Sequence, residues 1–299
     1  MTLSNAIALM VLGAIWGSSF LFMKVAAPEF GPVPLIGIRV GLAALVLWLF
    51  FYWKKSAGEK LQFNGQMFIV GVLNSALPFS LFAYATLHLT AGVTSVINAT
   101  VSIFAAIAGY LWLKESLSFA RVAGLFIGFL GVCLLVDSIG AWQDKTVLLA
   151  VMAGLIASVS YVASSCYIKQ RLQGMDPLSL TTSSMVCAAI AMLPLTVIYW
   201  PAQMPSAQSW LYALALAVLC TGVAFVIYYR LITEVGVSKT ATVTLIVPMF
   251  GVSWGVVLLG EALTLKTGAA CLAILAGTVL SANLLPLLTG RGERSGRYP

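Results

Sequence analysis

The segment Leu113-Lys114-Glu115-Ser116-Leu117 is followed by an apolar, glycine-rich run, and Leu259-Gly260-Glu261-Ala262-Leu263 is followed by another run of the same kind. Moving residues 77–135 forward by 146 positions places them on residues 223–281. This offset pairs Phe79 with Phe225, Thr94 with Thr240, Val101 with Val247, Phe104 with Phe250, Gly109 with Gly255 and Gly131 with Gly277. The chain therefore contains the same unit twice.

The composition indicates that most of the chain lies in lipid. Hydrophobic residues make up 61% of it and charged residues only 8%, whereas soluble domains average about 25% charged residues. Apolar runs long enough to cross the roughly 30 Å hydrocarbon core of a bilayer recur along the chain. We expect ten such spans, which start near Ala6, Val33, Met67, Ala91, Phe119, Thr146, Leu178, Ser209, Val237 and Thr267.

Each repeat contains five of these spans, so two copies in tandem must have opposite orientations in the membrane. We predict an all-α polytopic membrane protein in which ten transmembrane helices form two inverted five-helix repeats around a central cavity. Inverted repeats are typical of alternating-access transporters. The predicted repeats cover residues 1–140 and 141–290, and residues 291–299 form a basic cytoplasmic tail.

The distribution of basic residues predicts the orientation. With the N-terminus in the cytoplasm, twelve Lys and Arg residues lie on the cytoplasmic side and three, Lys24, Lys145 and Lys266, on the other. Cytoplasmic loops of membrane proteins carry such an excess. We therefore expect a multi-pass protein of the plasma (inner) membrane with both termini in the cytoplasm. The net charge of +7 follows from this topology and does not indicate a nucleic-acid partner.

The titratable residues argue against an enzyme and against a metal site. The five cysteines lie in apolar spans without metal-ligand spacing, so we expect buried apolar residues and no cofactor. An intramembrane enzyme would need convergent His, Asp or Ser groups at one depth, whereas the chain has one histidine.

The nine acidic residues all lie at span ends or in loops. Proton-coupled export of cations usually needs a buried acid that alternates between a proton and the cation. The pattern therefore favours facilitated diffusion or coupling through another group. We expect Glu115 and Glu261 to anchor the turns beside them rather than to contact substrate.

Several short motifs resemble the drug/metabolite transporter superfamily in its ten-span, EamA-like form. They are Trp16-Gly17, Ala91-Gly92-Val93-Thr94-Ser95, Leu113-Lys114-Glu115, Val235-Gly236-Val237-Ser238, Pro248 and Leu259-Gly260-Glu261. The resemblance covers nearly the whole chain. Ser102 stands where the second repeat has Pro248, so we expect the two repeats to bend differently.

Within this superfamily the chain looks most like the YddG-type amino-acid exporters. The resemblance implies outward transport of small organic solutes such as amino acids. A multidrug or other metabolite exporter of the same fold is one alternative. A non-transporting membrane scaffold is the alternative from another class.

The candidate site lies near the bilayer midplane, where the two repeats meet. The predicted substrate-binding residues are Trp16, Ser19, Asn74, Phe82, Asn98, Tyr161, Tyr228 and Thr244, and the predicted hinges are Pro78 and Pro248. An offset of 145 positions pairs Trp16 with Tyr161. Their rings can sandwich a substrate and offer a π-face to an ammonium group. The alternative is that both rings only pack within the bundle.

Polar residues at membrane depth support this choice. Asn74, Pro78 and Phe82 share a face of the third span at helical spacing. Asn98 corresponds to Thr244 in the other repeat. An amide or hydroxyl in the membrane is costly unless it is bonded, so these groups either line the cavity or bond between helices. The prolines either act as hinges or simply shape the bundle.

Two further features have structural interpretations. Arg39 lies within the second span, where a charge is a functional candidate, but a guanidinium that snorkels to one end or caps a neighbouring helix is the favoured interpretation. Glycine pairs such as Gly13/Gly17 and Gly251/Gly255 permit close helix packing. Packing within the bundle is favoured over dimerisation, and we expect a monomer or weak homodimer whose partners are the lipid bilayer and a small-molecule substrate.

Overall fold

The computed structural model describes residues 2–54, 60–112, 114 and 118–282. These residues form helices and no strand, which confirms the predicted all-α polytopic class. We number the helices α1 Leu3–Phe30, α2 Pro32–Lys54, α3 Gly65–His88, α4 Ala91–Leu111, α5 Phe119–Ser138, α6 Lys145–Arg171, α7 Pro177–Ile198, α8 Ala207–Val235, α9 Val237–Thr240 with Val243–Leu259, and α10 Leu265–Ser281. Every predicted span starts within three residues of the first residue of one of these helices.

The lengths of the helices fit a membrane-spanning bundle. Among the described residues, eight helices are long and apolar enough to cross a bilayer, and Val243–Leu259 and Leu265–Ser281 are shorter apolar helices. Most helices begin at a side-chain oxygen that accepts a hydrogen bond from the first turn, as at Asn64 and Asp144. The backbone N–H of Thr146 donates to Asp144, and this bond holds the pKa of that carboxyl below its usual range.

Helices α3 and α8 each contain a π-helical segment, which the sequence analysis did not predict. The segments are Val72–Ala76 and Val218–Val223, and they begin 146 positions apart, so they occupy matching places in the two repeats. A π segment shifts the faces of the helix that follows it. The regular spacing assumed for Asn74, Pro78 and Phe82 is therefore wrong across the first segment.

Helices α4 and α9 are interrupted at different places. Helix α4 breaks at Thr100, where the freed carbonyl of Ala99 accepts a hydrogen bond from the Thr278 hydroxyl of α10. Helix α9 breaks before Val243, whereas Pro248 lies inside the continuous helix that follows. The two repeats thus bend differently, as expected, but the break in α9 precedes the proline instead of falling at it.

Glycines allow the helices of the bundle to touch through their backbones. A Cβ on Gly17 of α1 would lie 2.8 Å from the Val247 carbonyl oxygen of α9, so no larger residue fits there. Gly124 of α5 meets Gly277 of α10 in the same way. These glycine pairs are used for packing within the bundle, as the sequence analysis favoured.

Candidate functional site

Trp16 of α1 packs against two aromatic residues of α8. Its ring centroid lies 6.1 Å from that of Phe225 and 5.4 Å from that of Tyr228. All three side chains are half-buried. We call Trp16, Phe225 and Tyr228 the α1/α8 aromatic group.

Tyr161 of α6 packs against two aromatic residues of α3 in a matching arrangement. Its ring centroid lies 6.3 Å from that of Phe79 and 6.2 Å from that of Phe82. We call these three residues the α3/α6 aromatic group. The offset of 145 positions pairs Tyr161 with Trp16, and the offset of 146 positions pairs Phe79 and Phe82 with the two members from α8. The internal repeat therefore extends to tertiary contacts. That Trp16 and Tyr161 face each other across a pathway remains a prediction.

Arg39 lies two turns into α2, and its side chain is only 4% exposed. Its Nε donates to Thr221 Oγ1 at 3.0 Å, its Nη1 lies 3.8 Å from Met23 Sδ, and its Cζ lies 3.6 Å from the centroid of the Phe79 ring. No carboxylate pairs with it among the described residues. The guanidinium is buried and bonds to a side chain of α8, so neither snorkelling nor capping of a helix end is observed, and the choice between a structural and a functional role stays open.

The π segment of α8 connects Arg39 to the neighbourhood of Trp16. Thr221 donates its own hydroxyl hydrogen to the Leu216 carbonyl, which leaves its oxygen to accept from Arg39. The adjacent Cys220 Sγ lies 3.2 Å from the Ile15 carbonyl oxygen of α1, one residue before Trp16. Phe79 provides the connection to the other aromatic group. Arg39 therefore contacts the α3/α6 aromatic group directly and is linked to the neighbourhood of Trp16 through the π segment of α8.

The predicted polar residues fall into two kinds. The hydroxyls of Ser19 and Thr244 donate to carbonyls of their own helices, those of Trp16 and Ala241. The side-chain amides of Asn74 and Asn98 are half-buried and form no hydrogen bond with the residues that the structure describes. Of the two interpretations offered from the sequence, the contacts of these two amides favour a surface open to a ligand over an interhelical bond.

The predicted hinge prolines, Pro78 and Pro248, are both buried. Pro78 lies just after the π segment of α3, and Pro248 lies in the second piece of α9. Each lacks a backbone N–H and so leaves a carbonyl without its usual helical partner. Their role as hinges remains a prediction.

Glu261 holds the start of α4 instead of its own turn, which corrects the expectation. Its carboxylate accepts hydrogen bonds from the backbone N–H groups of Ala91 at 2.6 Å and Gly92 at 3.0 Å. The Lys24 ammonium donates to the nearby Leu89 carbonyl at 2.9 Å. We call this side of the bundle the Glu261 end. The corresponding expectation for Glu115 lies outside the described residues.

The opposite side of the bundle, where α8 ends, is the Glu234 end. There Arg230 Nε donates to Glu234 at 2.8 Å, and both side chains are exposed. The pair belongs to one helix, and the Glu234 carboxylate also lies close to the Asn5 side chain of α1. The two carboxylates therefore differ, because Glu261 accepts two backbone hydrogen bonds from another helix and Glu234 accepts its 2.8 Å hydrogen bond from its own helix.

Two cavities formed by described residues lie away from the predicted site. One, of about 310 Å³, is an apolar crevice between α4, α5 and α6 that includes Ile103, Phe126 and Leu155. The other, of about 70 Å³, lies beside Glu261. None of the predicted substrate-binding residues contributes to either.

The described residues form a ten-helix apolar bundle with a duplicated arrangement of aromatic side chains, as expected of a polytopic membrane protein. The EamA-like transporter family matches residues 3–137 and again residues 148–283. The chain therefore belongs to the EamA-like transporter family. Its relatives are transporters and not enzymes.

The related proteins are distant, and two of them match over most of their length. The uncharacterized transporter YoaV of Bacillus subtilis (strain 168) is 24% identical over 89% of this chain and 92% of its own. The probable amino-acid metabolite efflux pump of Salmonella typhimurium (strain LT2) is 25% identical over 92% of this chain and 93% of its own. One solved crystal structure superposes with a TM-score of 0.67 over 94% of this chain and 98% of its own, at 16% identity, which shows the fold alone.

Proposed function

We propose that this transporter exports small organic solutes, with amino acids as the substrate class, by alternating access between two inverted repeats. The observation that carries the proposal is the pair of aromatic groups together with the unpartnered amides of Asn74 and Asn98. Rings bind apolar side chains and ammonium groups, and amides bind a zwitterion without adding net charge. The name of the Salmonella relative supports the same class.

The proposed pathway runs between the repeats, residues 1–140 and 141–290. Trp16, Phe82, Tyr161 and Tyr228 supply its aromatic walls, and Ser19 and Thr244 lie beside them. In this proposal both termini lie in the cytoplasm, the membrane is the plasma (inner) membrane, and the protein works as a monomer or weak homodimer without nucleic acid. The Glu261 end then faces outward and the Glu234 end inward.

The proposal is tested with purified protein reconstituted in liposomes. A panel of radiolabelled neutral amino acids and hydrophobic cationic dyes is offered at equal concentrations, with protein-free liposomes as the control. We expect saturable uptake of neutral amino acids and little movement of dye. Uptake of dye alone would contradict the proposal and favour a multidrug exporter of the same fold. Folded protein that moves nothing in the panel would favour the scaffold alternative.

The proposed direction is tested in cells. Overproduction of the protein should lower the internal concentration of a neutral amino acid that is supplied as a dipeptide, because export competes with accumulation. A matched strain carrying Gly17→Leu, a change expected to disrupt the bundle, is the control. An unchanged internal concentration, with normal amounts of protein in the membrane, would contradict export as the physiological direction.

A further inference from the structure

The Arg39 guanidinium has no anionic partner in the structure. Its described neighbours are a hydroxyl, a thioether sulfur and an aromatic ring, from Thr221, Met23 and Phe79, and none of them carries a negative charge. A charge held inside a membrane protein is costly, and such groups are normally paired or functional. The structure therefore contains a buried positive charge that its described packing does not neutralise.

The guanidinium also has hydrogen-bond donors to spare. Arginine carries five N–H donors, and among the described residues only one of them, on Nε, meets an oxygen atom. Nη1 has only the weak contact with Met23 Sδ. A carboxylate accepts N–H bonds from a guanidinium, and the Nη2 donors of Arg39 meet no oxygen atom of the described residues.

We propose that Arg39 binds the carboxylate of the transported solute, which narrows the substrate class to solutes that bear a carboxylate. This inference rests on the proposed function and names the group that fixes the substrate in its site. Phe79 holds the guanidinium against the α3/α6 aromatic group, and Thr221 holds it against the helix that carries Phe225 and Tyr228. A carboxylate bound there leaves the rest of the solute next to rings that accept an apolar side chain and an ammonium group.

The two repeats differ at the position of Arg39, so only one of them supplies a positively charged group to the site. The offset of 145 positions pairs Arg39 with Ser184, whose hydroxyl donates to the Thr181 carbonyl of its own helix. The aromatic groups are duplicated, but the cation is present once. A solute with one carboxylate therefore has one place for it, on α2, in both access states.

A purely structural role for Arg39 makes a different prediction. If the guanidinium only joins α2 to the π segment of α8, its removal will loosen the bundle and reduce the transport of every solute in proportion. If it binds the carboxylate, its removal will affect only solutes that have one. The chemistry of the solute therefore separates the two roles.

The experiment compares L-leucine with L-leucinamide, which replaces the carboxylate by a neutral amide of nearly the same size. Half-saturation is measured in proteoliposomes for the unaltered protein and for Arg39→Gln. The unaltered protein should prefer leucine by roughly tenfold or more, because a charge-assisted pair of hydrogen bonds is worth that much. Arg39→Gln should lose this preference by weakening leucine and leaving leucinamide unchanged.

Three controls complete the test. Ser184→Ala should keep the preference, because its hydroxyl bonds only within α7. Arg39→Lys retains the charge and should keep part of the preference even if Arg39→Gln fails to fold. Protection of the unaltered protein against thermal unfolding by leucine, and not by leucinamide, provides a readout that needs no variant.

The outcomes separate this inference from the proposed function. A parallel loss of leucine and leucinamide transport in the Arg39 variants would overturn the inference and leave amino-acid export standing. Equal affinity of the unaltered protein for both solutes would overturn it as well. Failure of the unaltered protein to move any amino acid in the panel would overturn the proposed function itself.

Discussion

The two aromatic groups match in sequence position but differ in burial. In the α3/α6 group, Phe79 is 8% exposed and Phe82 is 2% exposed. Their counterparts in the α1/α8 group, Phe225 and Tyr228, are both half-buried. A repeated sequence therefore does not produce two equal environments. Phe79 and Phe82 are enclosed by their neighbours and Phe225 and Tyr228 are partly exposed, whereas Tyr161 and Trp16, the third members of the two groups, are both half-buried.

The helix crossings next to the two aromatic groups also differ between the repeats. Helix α1 approaches α9 closely because Gly13 and Gly17 line the contact. The offset of 145 positions places Ser158 and Val162 at the matching points of α6, where Ser158 Oγ lies 3.4 Å from the Ile97 carbonyl oxygen of α4. In addition, the Glu261 carboxylate accepts two backbone hydrogen bonds from α4, whereas Glu234 accepts its 2.8 Å hydrogen bond from Arg230 of its own helix.

The largest expected effect comes from filling the close crossing of α1 and α9. Gly17→Leu should destabilise the protein by about 3 kcal/mol and abolish transport, because its Cβ would overlap the backbone of α9. Thermal unfolding in detergent and uptake in proteoliposomes measure the two effects. Gly41→Leu is the control, since no atom lies within 4 Å of the Cβ position there. Equal behaviour of the two variants would contradict the described crossing.

Truncating an aromatic side chain of the α1/α8 aromatic group should weaken substrate binding. Trp16→Ala should remove about 1–2 kcal/mol of binding through lost aromatic and cation–π contact, which corresponds to a roughly five- to thirtyfold higher half-saturation. Tyr161→Ala should act similarly, and Tyr161→Phe should be mild because the ring remains. The measurement is the concentration dependence of transport, normalised to folded protein. An unchanged half-saturation in Trp16→Ala would show that the ring only packs.

Weakening the contact at the Glu261 end should have a smaller effect. Glu261→Gln should cost about 1 kcal/mol, because a neutral amide offers one oxygen where the carboxylate accepts from both Ala91 and Gly92. The thermal unfolding midpoint should fall, and transport should change with it. Glu234→Gln is the comparison at the other end and should have a smaller effect on both, because the exposed Glu234 pairs with Arg230 of its own helix and reaches α1 only through Asn5. Equal shifts would contradict the difference between the two ends.

No effect at all is expected from removing a pH gradient. Among the described residues no carboxylate lies near the aromatic groups or at mid-span, so no group is placed to carry a proton with the substrate. Movement of an amino acid down its own gradient should persist with equal pH on both sides and a protonophore present. A strict requirement for a pH gradient would contradict this and direct attention to His88.

The helices were predictable from sequence because a bilayer allows few ways to bury a backbone. The starts of all ten spans were predicted for that reason, and the offset identified Trp16 and Tyr161 as equivalent residues. The offset also paired Phe82 with Tyr228. It did not reveal that Trp16 contacts Phe225, since contacts between α1 and α8 depend on how the helices pack.

The features that were missed depend on tertiary contacts. Nothing in the residues of Val72–Ala76 or Val218–Val223 marks a π segment, although their positions match under the repeat offset. The environment of Arg39 was mistaken because its acceptor, Thr221, lies on a helix 182 residues away. The sequence contains one signal for this site, a single positive charge deep in an apolar span. The absence of a charge at the matching position of the other repeat strengthens that signal.

The central claim is that the two aromatic groups belong to one pathway and are opened in turn. Phe82→Cys and Tyr228→Cys, each in a Cys133→Ser background, test it by labelling with a membrane-impermeant maleimide from either side, with the parent protein as control. Without substrate, Tyr228→Cys should react from the Glu234 side and Phe82→Cys should be protected. A saturating concentration of the amino acid should lower the labelling rate of Tyr228→Cys and raise the labelling rate of Phe82→Cys from the Glu261 side. Labelling at both positions from one side, or rates unaffected by the amino acid, would contradict alternating access through these groups.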